Sequence, residues 1–329
     1  METLHAVCTL LLGFLLVQSP SEDSVQESLK KGKEALAKLD AKKAIAHFTQ
    51  AIKKDPKNAE ALCFRGRSYG LDLEREKAIS DFNEAITLEP KFAEAYYWRG
   101  RIRHELGNRK QALDDLSEAT RLDPKSVHGW VEMAVIYYEE NEPEKAFSAL
   151  DKAIESNPKL AEAFFWRGRV GSVLGKNKQA ISDLSEAIRL DPKNALAFAN
   201  RAWMHYEEAN YAKCVADYKQ AIQVLPEWPE PYFYLARVLS MCPNDKARDG
   251  RKAVEYATKA CKMTNWTDYQ SLEALAAAYA ESGTFDQAIK WQKKALEVRK
   301  VKDSDKRAEG RLKSYESGKP LRIRSFLEW

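Results

Sequence analysis

The residue types that most often carry catalysis or bind metals are scattered in this chain. It has five histidines, and two of them, His104 and His128, lie late in one helical pattern and early in the next. An offset of about ten residues along parallel helices separates two side chains by about 15 Å, whereas zinc ligands stand about 2 Å from the ion. The carboxylates of acidic doublets such as Asp114–Asp115 diverge on a helix, and we expect them to form solvated faces. The sequence predicts no metal site and no cofactor.

The segment Gly171–Asn177 comes nearest to a phosphate-binding loop. It is one residue short of the GxxxxGK[ST] spacing, ends in asparagine and starts inside a helical pattern, whereas that loop follows a strand. Gly175 fits better as the turn between two paired helices, as does Gly107. HExxH, GxGxxG and CxxC sequences are absent from the chain. We therefore expect a protein without enzymatic activity.

Composition excludes several classes of protein. The 329 residues are 44% hydrophobic and 31% charged, which excludes disordered, collagen-like and membrane-embedded classes for the bulk of the chain. The net charge of +4 comes from intermixed charges of both signs, so we expect no strong field toward nucleic acid. Five cysteines are too few for a disulfide scaffold. Cys242 and Cys261 could form one bridge in an oxidising compartment, or both could serve as small buried residues.

The N-terminal segment Met1–Ser21 has the pattern of an export signal. Its apolar run from Ala6 to Val17 has twelve residues, whereas a helix that spans a bilayer needs about 20, so the run fits a signal-peptide core. Small residues precede an acidic pair, and we expect cleavage between Ser19 and Glu22. The mature chain would then lie in the periplasm or cell envelope without inserting into a membrane. The alternative is an uncleaved N-terminal membrane anchor.

A period of 34 residues organises the rest of the chain. Six prolines recur at this interval: Pro56, Pro90, Pro124, Pro158, Pro192 and Pro226. Counting back from each proline gives six repeats with small residues at the eighth, twentieth and twenty-seventh places and a large apolar residue at the twenty-fourth. Two antiparallel helices approach closely only where small residues face each other, and the large residue fills the gap between repeats. Because proline cannot continue a helix, it ends each repeat.

These positions resemble those of the tetratricopeptide repeat (TPR) family, which has the same small, large apolar and proline places at a 34-residue period. The resemblance implies an all-α, right-handed solenoid of about eight helix-turn-helix units closed by a C-terminal capping helix. Residues 240–296 also resemble exported TPR proteins of bacteria such as planctomycetes. We divide the chain into six regular units, which are residues 25–58, 59–92, 93–126, 127–160, 161–194 and 195–228. Two degenerate units follow, residues 229–268, which contain an insertion, and residues 269–302. Residues 303–318 are the capping helix and residues 319–329 are the tail.

In the TPR family the first helices of the units line a concave groove. Helical spacing exposes the second, fifth, sixth, ninth and twelfth places of each unit, where aromatic and arginine side chains recur. Both types dominate binding hot spots because they bury large areas and make directional contacts. The predicted partner-binding residues are Arg67, Tyr97, Trp98, Arg101, Phe165, Trp166, Arg169 and Arg237. The alternative is a structural ladder, in which Arg101 and Arg169 only hold Glu94 and Glu162.

We therefore expect a non-catalytic scaffold that binds a protein or peptide in this groove, since the fold implies interaction but cannot specify the partner. The alternative is binding of a small molecule or a lipid tail among the aromatic side chains. Nucleic-acid binding through arginine and aromatic residues is disfavoured because glutamates, such as Glu60 and Glu230, are interleaved with them.

Overall fold

The computed structural model describes residues 22–299 and 306–325, and all regular structure in these ranges is helical. The predicted all-α class is therefore confirmed, with consecutive helices packed in pairs. We call the odd-numbered helices up to α15 first helices and the even-numbered ones second helices. The helices are α1 (Glu22–Ala37), α2 (Ala41–Lys54), α3 (Ala59–Leu71), α4 (Arg75–Leu88), α5 (Ala93–Glu105), α6 (Arg109–Leu122), α7 (Val127–Glu139), α8 (Pro143–Ser156), α9 (Ala161–Val173), α10 (Asn177–Leu190), α11 (Ala195–Glu207), α12 (Tyr211–Val224), α13 (Pro229–Met241), α14 (Gly250–Met263), α15 (Tyr269–Glu281), α16 (Phe285–Arg299) and α17 (Lys306–Glu316).

The chain divides into two compact units, with the boundary between Ile136 and Tyr137. In the first unit, α1 packs on α2, α3 on α4 and α5 on α6. In the second unit, the same pairing joins α9 to α10, α11 to α12, α13 to α14 and α15 to α16. The predicted partner-binding residues lie on the first helices α3, α5, α9 and α13.

Close packing within each pair depends on a small residue at the eighth place of the first helix. In the first unit, a Cβ atom added at Gly66 would lie 2.8 Å from the ring of Phe82, which is fully buried. In the second unit, a Cβ atom at Gly168 would lie 2.7 Å from Leu184 Cγ. Because these contacts fill the space within a pair, the ninth residue and its neighbours at the second, sixth and twelfth places lie on another face of the first helix.

The turn between the two helices of a pair has one geometry in every repeat except α13–α14. The fifteenth residue of the repeat adopts a left-handed conformation in a Schellman motif, as shown by Gly107 N–H to His104 O and Asn108 N–H to Arg103 O, both 2.8 Å. Glycine or asparagine usually fills this place because other side chains clash with the backbone there. The left-handed residues are Leu39, Leu73, Gly107, Asn141, Gly175, Ala209 and Gly283.

The second unit ends in an extended segment that follows the capping helix. The predicted capping helix is α17, and residues 303–305 lie outside the described residues. After α17, the chain crosses two first helices, where the Ile323 N–H donates to Met241 O at 2.9 Å and the Tyr206 hydroxyl donates to Ile323 O at 2.5 Å. This part of the predicted tail is therefore ordered against α13 and α11, while residues 326–329 lie outside the described residues.

The predicted export signal, residues 1–21, also lies outside the described residues, so its cleavage stays a prediction. Among the residues that the structure describes, no helix is both long enough and apolar enough to cross a membrane.

Candidate functional site

The candidate site is the first-helix face of each unit, which we define by the second, fifth, sixth, ninth and twelfth residues of the first helices. In the first unit, Arg67 is engaged on this face. Its guanidinium lies 4.4 Å from the ring centre of Trp98 and 2.9 Å from Glu94 Oε1. The Trp98 indole N–H also donates to Glu94, at 3.2 Å, and the ring of Tyr97 meets Trp98 edge-on at 5.0 Å. Arg67 therefore belongs to a ladder that links neighbouring repeats.

Arg101, one repeat further along, has a different environment. Its exposed guanidinium lies 5.3 Å from the ring centre of Trp98 and has no carboxylate partner among the described residues. Glu94, which the structural alternative assigned to Arg101, is paired with Arg67 instead. Arg101 is thus an arginine that is positioned by an aromatic ring and whose hydrogen-bond donors face solvent.

Arg169 repeats this arrangement in the second unit. Its guanidinium lies 4.9 Å from the ring centre of Trp166 and 5.3 Å from that of Tyr138, and the half-buried side chain has no ion pair among the described residues. Phe165 is more buried than predicted, at 6% exposed, and its ring centre lies 5.8 Å from the Arg169 guanidinium. The contact predicted with Glu162 is not formed in the described structure.

A cleft of about 390 Å³ opens beside Arg169 on the first-helix face of the second unit. Its walls include Tyr138, Asn200, Trp203 and Tyr234, and the last two pack edge-on with ring centres 5.9 Å apart. An apolar side chain of a ligand can enter such a cleft while a carboxylate of the same ligand pairs with the arginine.

Family models of the tetratricopeptide repeat match residues 29–69, 93–126, 127–160, 161–194 and 270–301, which together exceed half of the sequence. The chain belongs to the tetratricopeptide repeat family. A search of curated proteins found no significant match to this TPR protein.

Solved structures show the same TPR fold. One is pilF from Pseudomonas aeruginosa, with a TM-score of 0.60 and 14% identity over 65% of this chain and 98% of that chain. A second is a tetratricopeptide repeat protein from Parabacteroides merdae, with a TM-score of 0.50 and 15% identity over 90% of this chain and 100% of that chain. The APC/C hetero-tetramer Cut9–Hcn1 has a TM-score of 0.59 and 16% identity over 88% of this chain and 55% of that chain. At these identities the likeness concerns the fold alone.

Arg237 does not lie where the TPR pattern predicts. It occupies the same ninth place as Arg101 and Arg169, yet it is 3% exposed and lies 3.6 Å from Glu273 Oε2. Glu273 also pairs with Arg311 of the capping helix, at 3.0 Å. Burial lowers the pKa of Arg237 below its ordinary value. The prediction of a surface contact at Arg237 is therefore wrong, because the next first helix and the capping helix cover it.

A second arginine series in the TPR units was missed by the sequence analysis. In α9, for example, Arg167 donates from Nε and Nη2 to both carboxylate oxygens of Asp183, at 2.9 and 2.7 Å. The signal was available, because an arginine at the seventh place and an aspartate sixteen residues later recur in four repeats. The pairs are Arg65–Asp81, Arg99–Asp115, Arg167–Asp183 and Arg201–Asp217. Asp115, predicted to be solvated, is instead 4% exposed and binds Arg99.

The first helix α3 contains one sequence match to a catalytic motif. Residues 66–70, Gly-Arg-Ser-Tyr-Gly, fit the GxSxG pattern of hydrolases. That motif requires a sharp turn between a strand and a helix, whereas these residues lie within α3. Ser68 is fully buried and its hydroxyl donates to Phe64 O at 2.8 Å. The serine is a helical packing residue.

Histidines and cysteines show no site for chemistry in the described ranges. His104 Nδ1 lies 2.7 Å from Glu132 Oε1, and no group of His, Cys, Asp and Glu among the described residues could hold a metal ion. Cys242 and Cys261 are both free and buried, so the structure contains no bridge between them. Burial raises the pKa of Cys242 to about 11 and that of Cys261 to about 12, which keeps both thiols protonated.

Proposed function

We propose that this TPR protein is a non-catalytic scaffold that binds a partner polypeptide on the first-helix faces of its two units. Arg101 with Trp98 and Tyr97 forms the contact site of the first unit, and Arg169 with Trp166 forms the equivalent contact site of the second. Each site takes a carboxylate of the partner on the guanidinium and an apolar side chain against the ring.

The observation that supports this proposal is the difference between the arginines of the two repeats that carry the sequence Trp-Arg-Gly-Arg. The first arginine of each is bound to buried aspartate, whereas Arg101 and Arg169 are held by aromatic rings and lack a carboxylate partner among the described residues. A guanidinium that is already oriented loses less freedom when it binds a carboxylate. Arginine beside tryptophan is also the composition typical of binding hot spots.

We further propose that the protein acts outside the cytoplasm, in the periplasm or the cell envelope. The support is the sequence of residues 1–21, with its short apolar run followed by small and acidic residues. Mass-spectrometric sequencing of the native N-terminus should find a chain that begins between Ser19 and Glu22. An intact Met1 in a cytosolic fraction would contradict export.

The binding proposal can be tested with an array of short peptides that vary in acidic and apolar content. The wild-type protein should bind peptides that combine glutamate or aspartate with leucine or phenylalanine. Replacing Arg101 and Arg169 together by alanine should abolish these signals. The matched control replaces Arg121 of α6 and Arg189 of α10 by alanine. Both side chains are exposed, 67% and 66%, and among the described residues each pairs with a glutamate three residues earlier. Equal binding by both double variants would contradict the proposed sites.

A further inference from the structure

Two leucines of the first unit stand in a backbone conformation that leucine rarely adopts. Leu39 and Leu73 have φ angles of 58° and 62° at the left-handed place of the turn, where Gly107 stands in the third repeat. Both side chains are largely exposed, 74% and 67%, so core packing does not account for them. A strained residue whose side chain faces solvent in two consecutive repeats points to a use of that side chain outside the fold.

The two leucines line one cleft of about 570 Å³ at the turn edge of the first unit, which we call the leucine cleft. Its other apolar walls include Leu36, Leu71, Trp98 and Ile102. Gly70 leaves the cleft open, since a Cβ atom there would lie 3.0 Å from Ile102 Cδ1. Leu71 is itself 41% exposed. The cleft therefore offers an apolar surface that is open to solvent.

The charges at the edge of the leucine cleft are unbalanced. Arg75 lies at the edge and is paired with Glu105, at 3.2 Å. Arg67 is paired with Glu94, whereas Arg101 has no carboxylate partner among the described residues. The carboxylates of Glu94 and Glu105 are thus each paired with an arginine. The guanidinium of Arg101 can pair with a carboxylate of a ligand.

We propose that the leucine cleft binds a segment of a partner protein that places leucine-type side chains beside an acidic residue. The aliphatic side chains pack between Leu39 and Leu73, and the carboxylate pairs with Arg101. This inference rests on the proposed function for Arg101, and it adds the chemistry of the partner and two contact residues that the first-helix face does not include.

The test uses a fluorescein-labelled peptide of leucine and glutamate, measured by fluorescence anisotropy with the full chain carrying Arg169→Ala, so that the equivalent site of the second unit does not contribute. In the decisive variant, Leu39 and Leu73 are both replaced by asparagine. The fourth repeat has this residue, Asn141, at the same turn place. The affinity should fall at least tenfold, while the thermal midpoint should stay the same or rise, because asparagine adopts the left-handed conformation more readily. The control replaces Leu225, which is 47% exposed in the second unit, by asparagine and should leave the affinity unchanged.

Three results would overturn the inference: no binding of the peptide to the Arg169→Ala chain, unchanged affinity when the leucine double variant is added to it, or a clear fall in the thermal midpoint on adding the leucine double variant. A fall in the midpoint would mean that the leucines serve the fold. Adding Arg101→Ala to the Arg169→Ala chain separates the two proposals. If this variant loses binding while the leucine variant keeps it, the leucine cleft is wrong and the arginine site stands. If both variants keep binding in the Arg169→Ala chain, both the leucine cleft and the Arg101 site fail.

Discussion

The two arginines in the Trp-Arg-Gly-Arg sequence of α9 should respond differently to substitution. We expect Arg167→Ala to lower the free energy of unfolding by about 3 kcal/mol. Arg169→Ala, only two residues away on the same helix, should lower it by less than about 1 kcal/mol. The comparison is well matched because both variants lose the same side chain and the same charge.

The larger value follows from the partners of Arg167. Its guanidinium makes two hydrogen bonds to Asp183, at 2.9 and 2.7 Å, and the two side chains are 16% and 5% exposed. Removing one member of a buried ion pair leaves a buried charge unpaired, which costs about 3–5 kcal/mol. Partial exposure of the arginine places the expected loss at the lower end of this range. The third bond, to Asp151 at 2.8 Å, adds little because that carboxylate is 42% exposed.

The smaller value follows from the surroundings of Arg169. Its guanidinium contacts the rings of Tyr138 and Trp166 at 5.3 and 4.9 Å but has no ion pair among the described residues. Such cation–π contacts contribute about 0.5–1 kcal/mol where water has access. No buried acceptor is left unsatisfied when this side chain is removed.

Urea unfolding followed by circular dichroism measures both changes. Arg189→Ala on α10 serves as the control for loss of an exposed arginine and should be close to neutral. Equal destabilisation by Arg167→Ala and Arg169→Ala would refute the division of roles. A loss below about 1 kcal/mol for Arg167→Ala would refute the magnitude assigned to the buried pair.

Three further predictions concern the second unit. Burial lowers the pKa of His205 below its ordinary value of 6.5, so the stability that neutral His205 contributes is complete above that pH and is lost as the pH falls. His205→Gln should therefore flatten the dependence of the urea midpoint on pH between about pH 7 and 5, and an unchanged slope would contradict this prediction. Gly168→Ala places a Cβ atom 2.7 Å from Leu184 Cγ and should cost about 1–3 kcal/mol in thermal unfolding; a neutral result would mean that the helix pair can relax. Tyr206→Phe removes the 2.5 Å hydrogen bond to Ile323 O. It should speed hydrogen exchange in the C-terminal segment and lower the free energy of unfolding by about 1 kcal/mol, whereas unaltered exchange would show that other contacts hold this segment.

The helix pairs could be predicted from the sequence because the period of 34 residues fixes which side chains face each other. Gly66 and Phe82, for example, are sixteen residues apart within one repeat. Their contact is local, so it needs no knowledge of distant elements. The same reasoning could have found the pairing of Arg65 with Asp81, which has the same spacing.

The environment of the ninth place could not be predicted in the same way, because it depends on the neighbouring repeat. Arg237 is buried because Glu273 of the next first helix and Arg311 of α17 surround it. Arg101, at the same place in its repeat, has no such carboxylate among the described residues. A pattern of single positions identifies arginine in both cases but does not show which one has a partner.

The turn leucines illustrate a further limit. The period places Leu39 and Leu73 at the position of Gly107, but exposure and a left-handed backbone become evident only in three dimensions. Glycines such as Gly107 and Gly175 indicate the turn in the sequence, whereas the first two repeats have leucine at this place and carry no such signal.

Titration calorimetry with an acidic, leucine-containing peptide tests the central claim most directly. The wild type, the double variant of Arg101 and Arg169, and the control double variant of Arg121 and Arg189 are compared under the same conditions, with circular dichroism to verify that all three fold. We predict that alanine at Arg101 and Arg169 weakens binding at least tenfold per site, or about 1.4 kcal/mol each, while the control variant binds as the wild type does. Unchanged affinity in the variant of Arg101 and Arg169 would contradict the assignment of these arginines as the contact sites for a partner.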